Sequence, residues 1–367
     1  MNLTILVADL LAAYKFLTRY NFPTWQQPDY YLATVGETEL TLAVTNREVW
    51  LETRVPAVIV PSAHDRFLIP VEALKAATLG DKKSYAHFAF NKTPESLELT
   101  LNVSCRGINS RSVFKTDNAS AYSQRPTVQG QNIVVPKETF AALGIVAGWA
   151  SNGLRHELNG VFFSPDDGGT LVATDGRQLV VAPARFSGKS FILPNSAVRV
   201  LCHPDFATRD AAIQQPNDDT NPHVEFRSGP HTFVARKIEH KFPNYRTVVP
   251  VEFLAEATIS ETHRAALVSW LWSIAEDRTS VRLSWETPHH LTLTLQNSDT
   301  KEASTQVPVS VTGAPPVIAF KPRRLASLLK IGTVLRLSGG NSPGLVTGPG
   351  GIVGLLMPVR AEVVDSQ

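Results

Sequence analysis

Several residue groups in the chain are of types that could do chemistry. His289 and His290 are adjacent, His203 stands two residues before Asp205, and Asp166 and Asp167 are neighbouring carboxylates. These would suit metal binding or acid–base work. None has ligand spacing such as two histidines one helical turn apart. His289-His290 follows Thr287-Pro288 and reads as a hairpin turn. The glycine-rich tail, Gly339-Gly340 and Gly348-Pro-Gly-Gly351, suggests a phosphate cradle. It lacks the following Lys-Ser/Thr and the helix that such a cradle needs, so plain turns are favoured. Cys105 and Cys202 form no zinc pattern and no disulfide framework, which fits a reducing compartment. No catalytic residue, metal or cofactor is expected, and the chain does not read as an enzyme.

The elements that would position any site follow from composition and periodicity. The 367 residues allow two or three domains. Apolar residues make up 43% and charged residues 19%, an ordinary globular balance. The formal net charge of +2 argues against tight, static phosphate binding. No apolar stretch approaches the roughly 20 residues that span a bilayer. The first residues carry Asp9 within a short apolar run and lack a basic start, so they do not read as a signal peptide. The triplet Asn91-Lys-Thr93 therefore has no expected role in glycosylation.

Two patterns recur along the chain. In the first, a short strand leads into an amphipathic helix. Phe67–Pro70 precedes 71–76, Phe191–Pro194 precedes 195–200, and Val317–Phe320 precedes 321–329, with offsets of 124 and then 126 residues. The second pattern lies about 60 residues earlier each time. Leu3–Val7 precedes 8–17, Asn132–Pro136 precedes 137–146, and Ala257–Ser260 precedes 261–275. Proline at a helix start and serine as N-cap support these boundaries. In the third copy Ala266, Leu267, Trp270, Leu271 and Ile274 follow helical spacing. Leu97–Val103 and Leu291–Leu295 alternate apolar and polar residues, as half-buried antiparallel strands do.

Each third thus reads as two helices on antiparallel sheet, an α+β unit repeated three times. The polar stretch 123–131 and the stretch 250–256 suggest domains at 1–130, 131–250 and 251–367. The first third fits least well, because 22–31 has no clean period.

The second third carries recognisable segments. Arg155-His-Glu-Leu-Asn-Gly-Val-Phe-Phe163 is followed by Leu171-Val-Ala-Thr-Asp-Gly-Arg-Gln-Leu-Val180. Lys241-Phe-Pro-Asn-Tyr-Arg246 and Leu355-Leu-Met-Pro-Val-Arg360 come later. Singly, each has a bland reading: Asp175-Gly176 and Asn159-Gly160 as turns, Phe242-Pro243 with Tyr245 as a packed strand end, and 355–357 as a buried last strand. In this joint order, and with the threefold repeat, the chain resembles the bacterial DNA polymerase III beta subunit, the beta sliding clamp family. The likeness by segments covers 150–360, and the first 130 residues match in length and pattern alone.

The resemblance implies three tandem clamp domains closing as a head-to-tail dimeric ring, with helices lining a hole that duplex DNA threads without sequence preference. Such a ring retains DNA by topology, so weak, exchanging lysine and arginine contacts suffice. Candidates are Lys15, Arg19, Lys75, Lys137, Arg199, Arg264, Arg323 and Lys330 on the repeated helices, with Asn152, Arg155 and His156 from a family segment that touches DNA. For any one of them a solvated face is the plain alternative. Trp272, more than Trp270, is the candidate for the interface between copies.

The resemblance also implies a groove for short peptides that carry glutamine and apolar anchors, through which DNA polymerase, a clamp loader and other partners bind. Its wall would be Leu158, Thr174, Gly176, Arg177, Gln178, Leu179, Pro243, Val248, Leu355, Leu356, Met357, Pro358, Val359 and Arg360, with Ser342 and Pro343 on the rim. The chain departs from the family at Arg177-Gln178, at Thr247, and at Arg278, Lys321 and Arg324, where aromatic or amide residues are frequent. Those three cations predict a more basic, less aromatic pocket that prefers acidic peptides. The implied location is cytoplasmic and nucleoid-associated, with no membrane partner. The rival to this reading is a clamp-fold paralogue or interaction module that does not encircle DNA.

Overall fold

The computed structural model describes residues 2–19, 29–46, 48–60, 66–92, 97–117, 119–218, 220–297 and 302–360. In chain order the first third contains β1 (Asn2–Leu6), α1 (Val7–Arg19), β2 (Tyr30–Val35), β3 (Glu39–Thr45), β4 (Val49–Pro56), β5 (Val58–Val60), β6 (Arg66–Pro70), α2 (Val71–Ala77), β7 (Tyr85–Lys92), β8 (Leu97–Cys105) and β9 (Ile108–Thr116). The middle contains β10 (Gly130–Val135), α3 (Lys137–Ala147), β11 (Gly160–Ser164), β12 (Thr170–Thr174), β13 (Gln178–Pro183), β14 (Phe191–Pro194), α4 (Asn195–Leu201), α5 (Pro204–Ala207), β15 (Ala211–Pro216), β16 (His223–Ser228) and β17 (His231–Arg236). The last third contains β18 (Ala255–Ile259), α6 (Glu261–Ile274), β19 (Ser280–Thr287), β20 (His290–Gln296), β21 (Ser304–Gly313), β22 (Ile318–Phe320), α7 (Pro322–Leu329), β23 (Val334–Leu337), β24 (Gly344–Thr347) and β25 (Val353–Leu356).

All six strand-then-helix repeats expected from the sequence are present: β1–α1, β6–α2, β10–α3, β14–α4, β18–α6 and β22–α7. Local chemistry sets the helix starts. The Ser260 hydroxyl accepts the His263 N–H at 3.3 Å and caps α6. Pro322 occupies the first turn of α7, where its missing N–H costs nothing. In α6 the buried face is Leu267, Val268, Leu271 and Ile274. Ala266, expected on that face, is exposed, and Val268 takes its place because the stripe sits one position further round.

The chain forms two compact units. One comprises Met1–Phe140 and Ser196–Lys237. It holds a five-stranded sheet, β5-β1-β7-β8-β9, and an eight-stranded sheet, β10-β15-β16-β17-β4-β3-β2-β6. On β8 Leu99, Leu101 and Val103 share one buried face, with Phe88 of β7 opposite Leu101, while Thr100 on the other face is buried as well. Arg125 donates to Glu52 at 3.1 Å and to the fully buried Glu225 at 3.0 Å, which keeps that carboxylate paired.

The other unit comprises Ala141–Asn195 and Ile238–Gln367. Its single twelve-stranded sheet runs β14-β11-β12-β13-β25-β24-β23-β18-β21-β20-β19-β22. Among the described residues the strands of both units pair antiparallel, as the α+β reading requires. Asn159-Gly160 is not the turn expected. Gly160 begins β11 opposite Pro194, and a Cβ there would stand 2.2 Å from the Leu193 carbonyl oxygen. Glycine is present because two backbones meet closely, not because the chain reverses.

Candidate peptide groove and basic helix faces

The groove forms entirely within the second unit. Its floor belongs to an apolar cluster that includes Leu158, Leu179, Phe242, Tyr245 and Leu355. Leu179 of β13 lies directly opposite Leu355 of β25, so pairing of the two strands brings them onto one face. Phe162 stacks on Phe242 with centroids 4.7 Å apart, which fixes the segment leading to Pro243. The open space, about 630 Å³ with the solvent at its mouth counted, is lined by Arg155, Leu158, Thr174, Gly176, Arg177, Gln178, Leu179, Pro243, Asn244, Tyr245, Val248, Pro343, Leu355 and Met357.

The rim is set by the β12–β13 turn. Asp175 Oδ1 accepts the N–H groups of Arg177 at 2.8 Å and Gln178 at 3.0 Å. Thr174 Oγ1 accepts the Gly176 N–H at 3.0 Å and donates to the Gln178 carbonyl at 2.6 Å. Gly176 has φ of 84°, the left-handed region open to glycine. Met357 N–H donates to the Arg177 carbonyl at 2.9 Å, holding the end of β25 against this turn. Next to the lining residue Tyr245, Arg246 binds Asp166 at 3.1 Å and Asp167 at 2.8 Å, and its guanidinium lies 5.1 Å from the Tyr245 ring centroid. Arg246 and then the Ser164 hydroxyl hold the Asp166 carboxyl below its ordinary range. Glu157 is also held low, first by its own backbone N–H and then by Arg155 at 3.0 Å.

Eleven of the sixteen groove residues expected from the sequence line this space. Ser342, Leu356, Pro358, Val359 and Arg360 do not. Leu356 is buried on the opposite face of the sheet, since neighbours on a strand alternate. Val359 N–H donates to the Ala319 carbonyl at 2.8 Å, which carries the chain away. Asn244 and Tyr245 line the groove although only their segment was singled out, and Arg155 does so although it was placed with DNA. Tyr245 was recoverable as the aromatic residue of that segment; Asn244 gave no signal.

The expected source of positive charge is corrected. Lys321 Nζ donates to the carbonyls of Asp277, Arg278 and Thr279, each at 3.0 Å, and so caps the turn before β19. Arg324 pairs with Asp175 at 2.8 Å. Neither they nor Arg278 lines the groove.

Of the basic residues on the helices, Lys15, Lys75, Lys137, Arg199, Arg323 and Lys330 are exposed. Asn152 and His156 are exposed as well. Arg264 is committed internally: it pairs with Glu261 and donates to the Leu329 carbonyl at 2.8 Å. The Arg19 side chain, Thr93 and most of 22–31 lie outside the described residues. Trp272 is 45% exposed, and Lys330 Nζ sits 5.2 Å from its ring centroid.

The rival chemical groups have structural roles. Asp166 and Asp167 hold Arg246. His203 binds Asp205 at 3.1 Å and caps α5. His289 sits in the β19–β20 hairpin, with its N–H on Thr287 Oγ1 at 3.3 Å. Burial pushes the Cys202 thiol up to about 11, away from the thiolate. Among the described residues no cluster of three or more metal-ligating side chains occurs, and no helix is long and apolar enough to cross a membrane.

No family model matches the chain. Over 267 residues it is 26% identical to the beta sliding clamp of Synechococcus elongatus, covering 66% of this chain and 69% of that protein. Over 222 residues it is 28% identical to the beta sliding clamp of Caulobacter vibrioides, covering 56% of this chain and 59% of the relative. The DNA polymerase III beta subunit of Pseudomonas aeruginosa superposes with a TM-score of 0.86 at 21% identity, over 98% of this chain and all of the other. That of Thermotoga maritima superposes with a TM-score of 0.79 at 20% identity, over 98% and 99%. The chain thus shares the fold of DNA polymerase III beta subunits and is similar in sequence to bacterial beta sliding clamps.

Proposed function

We propose that the protein is a DNA sliding clamp: two copies close head to tail around duplex DNA, and polymerase, clamp loader and other partners dock through the groove. One observation carries the ring. The threefold repeat places β4, β13 and β21 in equivalent positions, each the third strand of a set that begins β2, β11 and β19. It likewise makes β9, β17 and β25 equivalent. Within the chain β17 pairs with β4, and β25 pairs with β13. The remaining pair, β9 and β21, is not joined; β9 ends its sheet among the described residues. An unpaired edge with Ile108 71% exposed and Val113 53% exposed is a liability unless another strand covers it. The β21 of a second copy is the matching cover, and the reverse pairing closes the ring. Domains at 1–130, 131–250 and 251–367 follow, with the middle one contributing to both compact units.

Retention then comes from linkage, and the exposed cations on α1, α2, α3, α4 and α7 need only shallow contacts with phosphate. Trp272 belongs near the closing interface. The reading needs no catalytic step and places the protein with DNA in the cytoplasm.

The test is size and retention together. The protein should sediment at twice 40.1 kDa. When loaded, it should stay on nicked circular DNA and leave once the circle is cut. Ile108→Glu should weaken self-association by about tenfold or more, since it replaces an apolar contact worth about 1–2 kcal/mol with a charge. A single-copy mass for the parent protein, or equal retention on linear and circular DNA, overturns the reading.

A further inference from the structure

Resting on the groove reading, we infer that a second copy of the groove lies between β4 and β17, shut by the indole of Trp50. The residue after the turn, Leu179 in one copy and Trp50 in the other, sets the number of peptides one chain takes.

Two turns carry the comparison. At the β12–β13 turn Thr174 Oγ1 donates to the Gln178 carbonyl at 2.6 Å, and Asp175 Oδ1 accepts the N–H groups of Arg177 and Gln178. At the β3–β4 turn Thr45 Oγ1 donates to the Val49 carbonyl at 2.7 Å, and Asn46 Oδ1 accepts the N–H groups of Glu48 at 3.0 Å and Val49 at 2.8 Å. The residue that follows is Leu179 in one turn and Trp50 in the other. Leu179 stands opposite Leu355, and Trp50 stands opposite Val234. The adjoining ladders match as well. Phe162 is paired with Val172 on one side and Ile192 on the other; Leu32 is paired in the same way with Ala43 and Leu68.

The match in position comes with an exchange in size. The cluster around Leu179 contains Phe162, Val172 and Leu355. Their counterparts around Trp50 are Leu32, Ala43 and Val234, each the smaller residue of its pair. The indole takes up the volume that these neighbours give back, as close packing demands. Trp50 is 3% exposed, and the Tyr122 ring meets it edge-on with centroids 6.3 Å apart. The Trp50 Nε1–H donates to Glu52 at 2.7 Å, which keeps the ring in place. Arg125 reaches both Glu52 and Glu225 and so fastens the segment behind Tyr122 across the seam. Beneath the indole lies an apolar floor of the kind that the open groove offers to a peptide.

The experiment titrates a capped peptide containing one glutamine, two leucines and one phenylalanine into the full-length protein by calorimetry. The parent should take one peptide per chain. Trp50→Leu should take two, and peptide should slow amide exchange at 49–53 about threefold or more, a change absent from the parent. The reciprocal variant Leu179→Trp should lose about tenfold or more in affinity, with its melting transition retained. A folded Trp50→Leu chain that takes one peptide, a parent that takes two, or a Leu179→Trp variant that binds like the parent overturns this inference and leaves the groove reading standing. If Trp50→Leu does not fold, Leu179→Trp alone decides by the same criterion. Failure of the peptide to bind the parent overturns the groove reading and this inference with it.

Discussion

Arg324 Nη2 donates to Asp175 Oδ2 at 2.8 Å, and the same carboxylate receives two backbone N–H groups through Oδ1. One aspartate therefore fastens the start of α7 to the β12–β13 turn while it shapes the turn itself. Its side chain is 16% exposed and that of Arg324 28%, so water screens the pair only in part.

Replacing Asp175 by alanine should cost about 2–3 kcal/mol, because three donors lose their acceptor together. Arg324→Gln should cost less, about 1 kcal/mol, since the turn bonds survive. Urea unfolding of both variants and their combination should give a coupling of about 1 kcal/mol. Strictly additive losses would show that the two side chains do not act on one another.

The two glycines beside the groove should respond differently to alanine. At Gly176 an added Cβ meets nothing nearer than 3.7 Å, so only the left-handed backbone is taxed, at about 1–2 kcal/mol. At Gly160 the Cβ would sit 2.2 Å from backbone, and β11 must move away from β14. Thermal unfolding should rank Gly160→Ala well below Gly176→Ala. The opposite order would contradict the close approach described for β11.

His231 stacks on Phe16 at 3.9 Å and shares a hydrogen bond with Thr53 Oγ1 at 3.0 Å. Burial lowers its pKa; Asp205 opposes that, while Arg209 and His203 add to it. The unfolded chain thus binds a proton more readily, and stability rises with pH across the interval. The neutral ring's contribution is complete above the ordinary histidine value of 6.5 and is lost as pH falls through it, levelling off below the folded value. His231→Gln should flatten that part of the stability–pH curve, measured by calorimetric melting at successive pH values. An unchanged slope would assign the acid sensitivity elsewhere.

Much of this was legible in the residues. The strand–helix starts were readable from the change of period, helped at α6 by the cap Ser260 and at α7 by the first-turn Pro322. Leu158, Leu179, Leu355 and Met357, implied by the resemblance, line one open space. Leu356 was misplaced because the segment gave no phase, and the pairing of β13 with β25 decides which leucine faces the groove. Lys321 and Arg324 were misread for another reason. A cation's partners, here three carbonyls and one carboxylate, come from segments far away in the chain and leave no trace beside it. That β9 ends its sheet among the described residues, and that β21 pairs with β18 only over 309–313, emerge only when the strand orders are compared.

The β13–β25 ladder has a bearing on how this protein can change over generations. Every rung from Gln178–Leu356 to Val181–Val353 ties the two walls in one phase. Losing a single residue between β24 and β25 would swap inward and outward side chains along the whole last strand. New partners are therefore accommodated by exchanging residues in place, and length variation belongs in hairpins elsewhere.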